Sequence, residues 1–169
     1  EVVSEGALVP GFVNAHCHIE LSHLYRKFRK GTGMAGFIDQ INELRDWAGR
    51  ETKIQLTKQW MDKMWEDGVT AMADISNDDS SFEIKKSHPI YTRTFLEVFG
   101  SEPHMCEDVM SEVSQLQIVA DQAGIDAAPT PHSCYTMSPQ LLSASAAKGL
   151  ESGFLSYHSQ ESQEEEDLI

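Results

Sequence analysis

Four histidines stand where chemistry could be done. His16 and His18 are two apart in PGFVNAHCHIELSH, at the end of an apolar run, while His132 lies in PTPHSCYTMSP and His158 in FLSYHSQES. In an extended chain residues i and i+2 share a face. Phe12, Asn14, His16 and His18 are therefore expected to point one way, and Val13, Ala15 and Cys17 the other, toward covering helices. Two imidazoles side by side can hold one metal ion, and they suit zinc first, with iron or nickel as further choices. A bare His-x-His pair also fits two histidines that only donate hydrogen bonds. Glu161, three residues after His158, places a carboxylate where it could move a proton of an activated water. By spacing alone it also fits a solvated acid, like Glu164, Glu165 and Glu166 beside it. Glu20, two past His18, reads either as a contact for a polar substrate group at a pocket mouth or as a carboxylate outside it.

These residues need elements to position them. Ala7–His18 reads as a strand broken only by Pro10-Gly11. Two helical stretches follow the loop at Gly31–Gly33: one repeats Phe37, Ile41, Leu44 and Ala48, the other Ile54, Leu56, Trp60, Met64 and Trp65. Gly68 ends the second. Val69–Ile75 is a short apolar strand, and SNDDSS is a loop with helix N-cap residues. Ile90–Phe99 is a β-rich strand, and a long helix runs from about Pro103 to Ala123, closed by Gly124. Ile125–Pro131 is a fourth strand. Ser138-Pro139 opens a helix that Gly149 ends, and Phe154–His158 is a fifth strand. Ser162–Ile169 reads as the first turns of another helix, with acids near its N-terminus.

Strands and helices alternate about five times, the pattern of parallel β/α units. His16, His18, His132 and His158 then fall at the C-terminal ends of three parallel strands, the face at which β/α barrels do their chemistry. That shared placement favours a common site over coincidence. Cys17 has the wrong parity for a ligand and reads as core. Asn14 reads as a barrel-interior hydrogen bonder, Asp74 as a residue behind the site, and Cys134 and Tyr135 as pocket lining. His88 and His104 read as structural, and Trp60, Met61, Met64 and Trp65 as helix packing surface; His23 and Glu97 have no assignment.

The net charge of −14 over 169 residues argues against nucleic acid, which needs a basic stripe, and against anionic membranes. Cys17, Cys106 and Cys134 are odd in number, with no CxxC. They fit a reducing cytoplasm and no disulfide framework. No apolar run reaches bilayer length and no signal peptide is visible. The start at Glu1 and the stop at Ile169, just after an acidic run, read as cuts through a larger protein.

The stretches GALVPGFVNAHCHIELSH, PHSCYTMS and YHSQES resemble the amidohydrolase superfamily, in its deaminase-like branch with one catalytic metal. The HxHxELS form is most similar to the aminofutalosine deaminase-like and chlorohydrolase-like members. The resemblance implies a TIM-type (β/α)8 barrel. Residues 7–169 would supply about its first five units, and residues 1–6 a remnant of an N-terminal β-sandwich. It implies that His16, His18 and His158 ligate one divalent transition metal, zinc first. Glu161 would shuttle a proton, and His132 would contact the substrate or polarise its reacting centre. The reaction implied is hydrolytic deamination of an aminated small-molecule heterocycle by metal-activated water. The family takes a further histidine from strand six and an aspartate from strand eight, and neither strand is in this chain. A full barrel needs ~250 residues. An open piece exposes parallel strand edges, so self-association into a homo-oligomer is expected. Two other readings stay open: a metal-binding or assembly module without catalysis, and a β/α domain of another class with structural histidines.

Overall fold

Apolar strands flanked by amphipathic helices have one economical arrangement, a parallel sheet with the helices on its outer face, and the chain adopts it. The computed structural model describes residues 5–167. The first four residues of the stretch expected to be a β-sandwich remnant lie outside the described residues. Four strands, β1 (Phe12–Cys17), β2 (Val69–Ser76), β3 (Tyr91–Val98) and β4 (Ala127–Pro131), form one sheet in the order β1-β2-β3-β4. All three pairings are parallel. The helices are α1 (Gly33–Leu44), α2 (Arg50–Glu66), α3 (Phe82–Ser87), α4 (Cys106–Ala123), α5 (Pro139–Leu150) and the short α6 (Gln163–Glu166). A 3-10 turn, Ile19–Leu24, follows β1 directly. No described helix is long and apolar enough to cross a membrane.

The core forms in two parts. Leu96 and Val98 of β3 pack with Val113 and Ala120 of α4 and Leu141 of α5. Met61 of α2 packs with Met72, Ile90 and Ile19, and Cys17, Trp60 and Met64 lie against them. Met61 is fully buried, whereas Trp65 is turned outward, 43% exposed. Helix ends follow local chemistry. Ser138 Oγ accepts the Leu141 N–H at 3.3 Å to cap α5, with Pro139 in its first turn. Gly124, in the left-handed region at φ 74°, ends α4. Gly149 has a packing role: a Cβ there would come within 2.4 Å of the Pro129 carbonyl oxygen, so α5 crosses β4 at glycine contact.

Two expectations change. The first strand starts at Phe12 rather than Ala7, because Pro10 offers no N–H and pairing begins only where Phe12 N–H meets the Gly68 carbonyl at 2.8 Å. The fifth strand, Phe154–His158, is not a strand. It lies beside β4 through a single bridge between Ser133 and His158 and one backbone bond, His158 N–H to the His132 carbonyl at 2.8 Å. Upstream a side chain replaces the ladder: Thr130 Oγ1 accepts the Ser156 N–H at 2.8 Å and donates to the Ser156 carbonyl at 2.5 Å. The observed sheet thus has four strands and a tethered fifth segment.

Candidate metal centre

The end of β1 brings the first two histidines to the site, and a bulge sets their direction. Asn14 pairs with Met72 and Cys17 with Asp74, so three steps on β1 oppose two on β2. The extra residue breaks the two-residue alternation. As a result Asn14 and Cys17 share the helix-facing side. Asn14 Nδ2 meets Met64 Sδ of α2 at 3.5 Å, and Cys17 Sγ lies 4.0 Å from Met72 Sδ and 3.4 Å from Asp74 Oδ1. Asn14 is therefore not the interior hydrogen bonder that simple alternation implied. Cys17 is packed behind the strand as expected, and burial pushes its thiol well above the ordinary range.

On the other face His16 and His18 converge with His158 from the tethered fifth segment. Ring centroids are 5.2 Å apart for His16–His18, 4.8 Å for His16–His158 and 5.9 Å for His18–His158. One nitrogen from each of the three rings lies within 4.8 Å of the others. Burial is the main cause that lowers His16 and His18 below the usual histidine value, which keeps their lone pairs free at neutral pH. The donor set fits a single divalent ion of the zinc kind: three imidazoles on one side and open cavity on the other.

His132 stands next to this group, its ring 4.9 Å from that of His158. Hydroxyls hold its Nδ1, Ser133 Oγ at 2.9 Å and Thr136 Oγ1 at 2.8 Å. Its Nε2 lies 3.7 Å from Glu97 Oε1, which is also 3.8 Å from His158 Nε2. Glu97, His132 and His158 form a second ligand-like triangle that shares His158 with the first. Glu97, which the sequence left unassigned, is thus a central carboxylate of the site. Its signal was present: it is the one acid in β3, near the C-terminal end of a strand otherwise buried along most of its length. Asn77, overlooked in the sequence, braces it. Asn77 Nδ2 donates to Glu97 Oε2 and to Glu20 Oε1, each at 3.1 Å, and Asn77 N–H donates to Glu20 Oε2 at 2.9 Å. Glu20 is therefore buried behind Asn77 rather than set in the large cavity, and burial raises its carboxyl to about 7. His23 is structural, its ring nitrogens 3.0 Å from the Glu20 carbonyl and 2.9 Å from that of Arg45.

Glu161 lies at the rim, Oε1 3.6 Å from His158 Nδ1. Its Oε2 accepts the Tyr135 hydroxyl at 2.5 Å; burial first and this carboxylate second push the phenol well above its ordinary value. The neighbouring acids are not merely solvated. Glu165 is buried and accepts the Glu161 N–H at 2.5 Å and the Cys134 thiol at 3.2 Å. Glu164 accepts the Met34 N–H at 2.5 Å, at the N-terminus of α1, where a carboxylate complements the helix dipole. That contact docks the Glu161 segment against α1, and the two together line an open cavity of about 910 Å³. The histidines and Glu97 form its polar floor, and Met34, Phe37, Ile38 and Ile41 of α1 form an apolar wall. Tyr135 lines it as expected, while Cys134 turns toward Glu165. Asp74 lies behind the site, paired with Lys85.

No family model and no curated protein matches the chain. Solved structures do. One is the Helicobacter pylori aminofutalosine deaminase in complex with methylthio-coformycin, with a TM-score of 0.76 and 23% identity over 94% of this chain and 39% of that one. Another structure of the same H. pylori enzyme gives a TM-score of 0.67 and 25% identity over 92% of this chain and 36% of that one. The chain therefore spans less than two fifths, or about that, of the length of the enzyme it resembles. In motif and in architecture alike, it resembles the aminofutalosine deaminase-like branch of the amidohydrolase superfamily, with the fold of part of its barrel.

Proposed function

We propose that this chain carries the part of the active site of a metal-dependent deaminase that four barrel strands and the tethered fifth segment supply, and that this enzyme hydrolyses the amino group from an aminated heterocycle. The observation that carries the reading is the meeting of His16, His18 and His158, from opposite ends of the chain, with one nitrogen each inside 4.8 Å. These three residues would hold one divalent ion, zinc first, with iron or nickel as alternatives. When bound, the ion supplies a water whose pKa is lowered to about 7. Glu161 stands next to His158 with one oxygen held by Tyr135. It would take the proton of the attacking water and return it to the departing amine. His132, fixed at Nδ1 by hydroxyls, presents Nε2 to the cavity floor, where it would polarise the reacting ring carbon. Glu97, held by Asn77, would keep that imidazole oriented. Glu20 would act on substrate binding only through Asn77. The cavity's apolar wall and polar floor suit a small, partly apolar substrate, and three free thiols fit the cytoplasm.

The test uses the complete enzyme. Elemental analysis should find one transition metal per chain. Glu161→Gln should keep that metal and lose about 10²–10⁴-fold in turnover on aminated heterocycles. Absence of metal, or near-normal turnover in the variant, refutes the reading. Metal bound without turnover in the unmodified enzyme points instead to the binding or assembly module.

A further inference from the structure

Behind the His16–His18 segment lies a buried ion pair that the proposed reaction does not use. Asp74, near the end of β2, and Lys85, in α3, have side chains 0% and 1% exposed, with Lys85 Nζ 2.6 Å from Asp74 Oδ2. Lys85 Nζ also donates to Ser76 Oγ at 2.8 Å and to Thr94 Oγ1 at 3.2 Å, so its three protons are all placed. Ser76 Oγ in turn donates to Asp74 Oδ2 at 3.2 Å. Oδ2 is thus fully engaged on the helix side. The other oxygen faces the end of β1. Asp74 Oδ1 accepts the Ile19 N–H at 2.7 Å and the Cys17 thiol at 3.4 Å. Ile19 and Cys17 are the two chain neighbours of His18. One carboxylate oxygen therefore grips the chain on both sides of a histidine that the site needs.

A buried ion pair is weak evidence for stability, because apolar residues of similar volume often serve as well or better. Its value here is geometric. The β1 ladder is irregular between Asn14 and Cys17 and ends at the Cys17–Asp74 pair, so no strand pairing holds the backbone from His18 onward. Ile19, buried and opening the 3-10 turn, has a side-chain acceptor at this N–H. We propose that Asp74, locked by Lys85, is a positioning residue that sets the Cys17–Ile19 backbone and so aims His16 and His18 at a common ion. This inference rests on the metal reading of the site.

The test compares two double variants of the 169-residue chain, neither of which leaves a charge buried. Asp74→Asn with Lys85→Met keeps an acceptor for Ile19; Asp74→Leu with Lys85→Met keeps the side-chain shape and removes it. Zinc affinity is read by competition with a chromophoric chelator, and ligand geometry by the visible spectrum of the cobalt-loaded chain. The asparagine variant should bind zinc within a few-fold of the unmodified chain. The leucine variant should bind about 10–100-fold more weakly, the usual cost of losing an outer hydrogen bond at a metal site, with a changed cobalt spectrum and unchanged far-ultraviolet circular dichroism. Equal affinities in the two variants overturn the proposal. If the leucine variant does not fold, hydrogen exchange on the unmodified chain decides. Coupling between the grip and the metal is reciprocal, so zinc should slow exchange of the Ile19 amide, and unchanged exchange overturns the proposal. An unmodified chain that takes up none of zinc, cobalt, iron or nickel refutes the metal reading itself, and this inference with it.

Discussion

Replacing Thr130 by valine removes one hydroxyl and keeps the side-chain shape. Thr130 is 1% exposed, so the change leaves no cavity and adds no bulk. Its oxygen makes two bonds to the fifth segment, accepting from Ser156 N–H at 2.8 Å and donating to the Ser156 carbonyl at 2.5 Å. The remaining backbone tie is His158 N–H to the His132 carbonyl. Each hydrogen bond has a net worth of about 0.5–1.5 kcal/mol, so the pair is worth about 1–3 kcal/mol to docking of the segment that presents His158. At about 1.4 kcal/mol per factor of ten, a middle value of about 2 kcal/mol frees the segment roughly 30-fold more often. Hydrogen exchange resolved by residue should show that acceleration at the His158 amide, while Phe95 and Leu96 in β3 stay protected. Zinc affinity should fall by no more than the same factor, because the ion binds only the docked form. Unchanged exchange at His158 would refute the side-chain tether. Equal acceleration at His158 and in β3 would show that the loss is global.

The other predictions concern charge and the open edge. Glu20 has its folded pKa raised to about 7 by burial, against an ordinary value of about 4.3. Its contribution to stability is present below the ordinary value and is lost as pH rises through 7. Glu20→Gln should therefore gain on the unmodified chain between pH 5 and pH 8 in urea unfolding, and an equal difference at both pH values contradicts the burial argument. The outer flank of β1 exposes Phe12 and Val13, 57% and 67% accessible, and Val9 just before them, and among the described residues β1 pairs only with β2. Sedimentation of the 169-residue chain should show self-association that Val13→Lys weakens, since edge lysines block pairing; a stable monomer at high concentration refutes this.

The alternation of elements was legible along the chain because strands and helices are set by local periodicity and local caps. The strands read at Val69–Ile75 and Ile90–Phe99, each within a residue of β2 and β3 at either end, and the α5 start at Ser138-Pro139 needed no distant partner to be read. The metal-ligating candidates were legible for a related reason: His16, His18 and His158 are rare residue types at strand ends, and a barrel gathers strand ends at one face. Other features exist only as contacts between remote segments. Alternation predicts a face for Asn14, but the offset between β1 and β2 decides it, and a bulge turned that residue to α2. The span Phe154–His158 has the composition of a strand, yet whether backbone or Thr130 meets it depends on the neighbouring β4. Glu97 becomes central only when the end of β4 and the tethered segment place two imidazoles beside it, and Asn77 only when it finds Glu20 and Glu97 together. Composition and spacing fixed which side chains could do chemistry; register, burial and the docking of Glu164 on α1 decided which of them meet, because those quantities are properties of pairs of segments and not of any one.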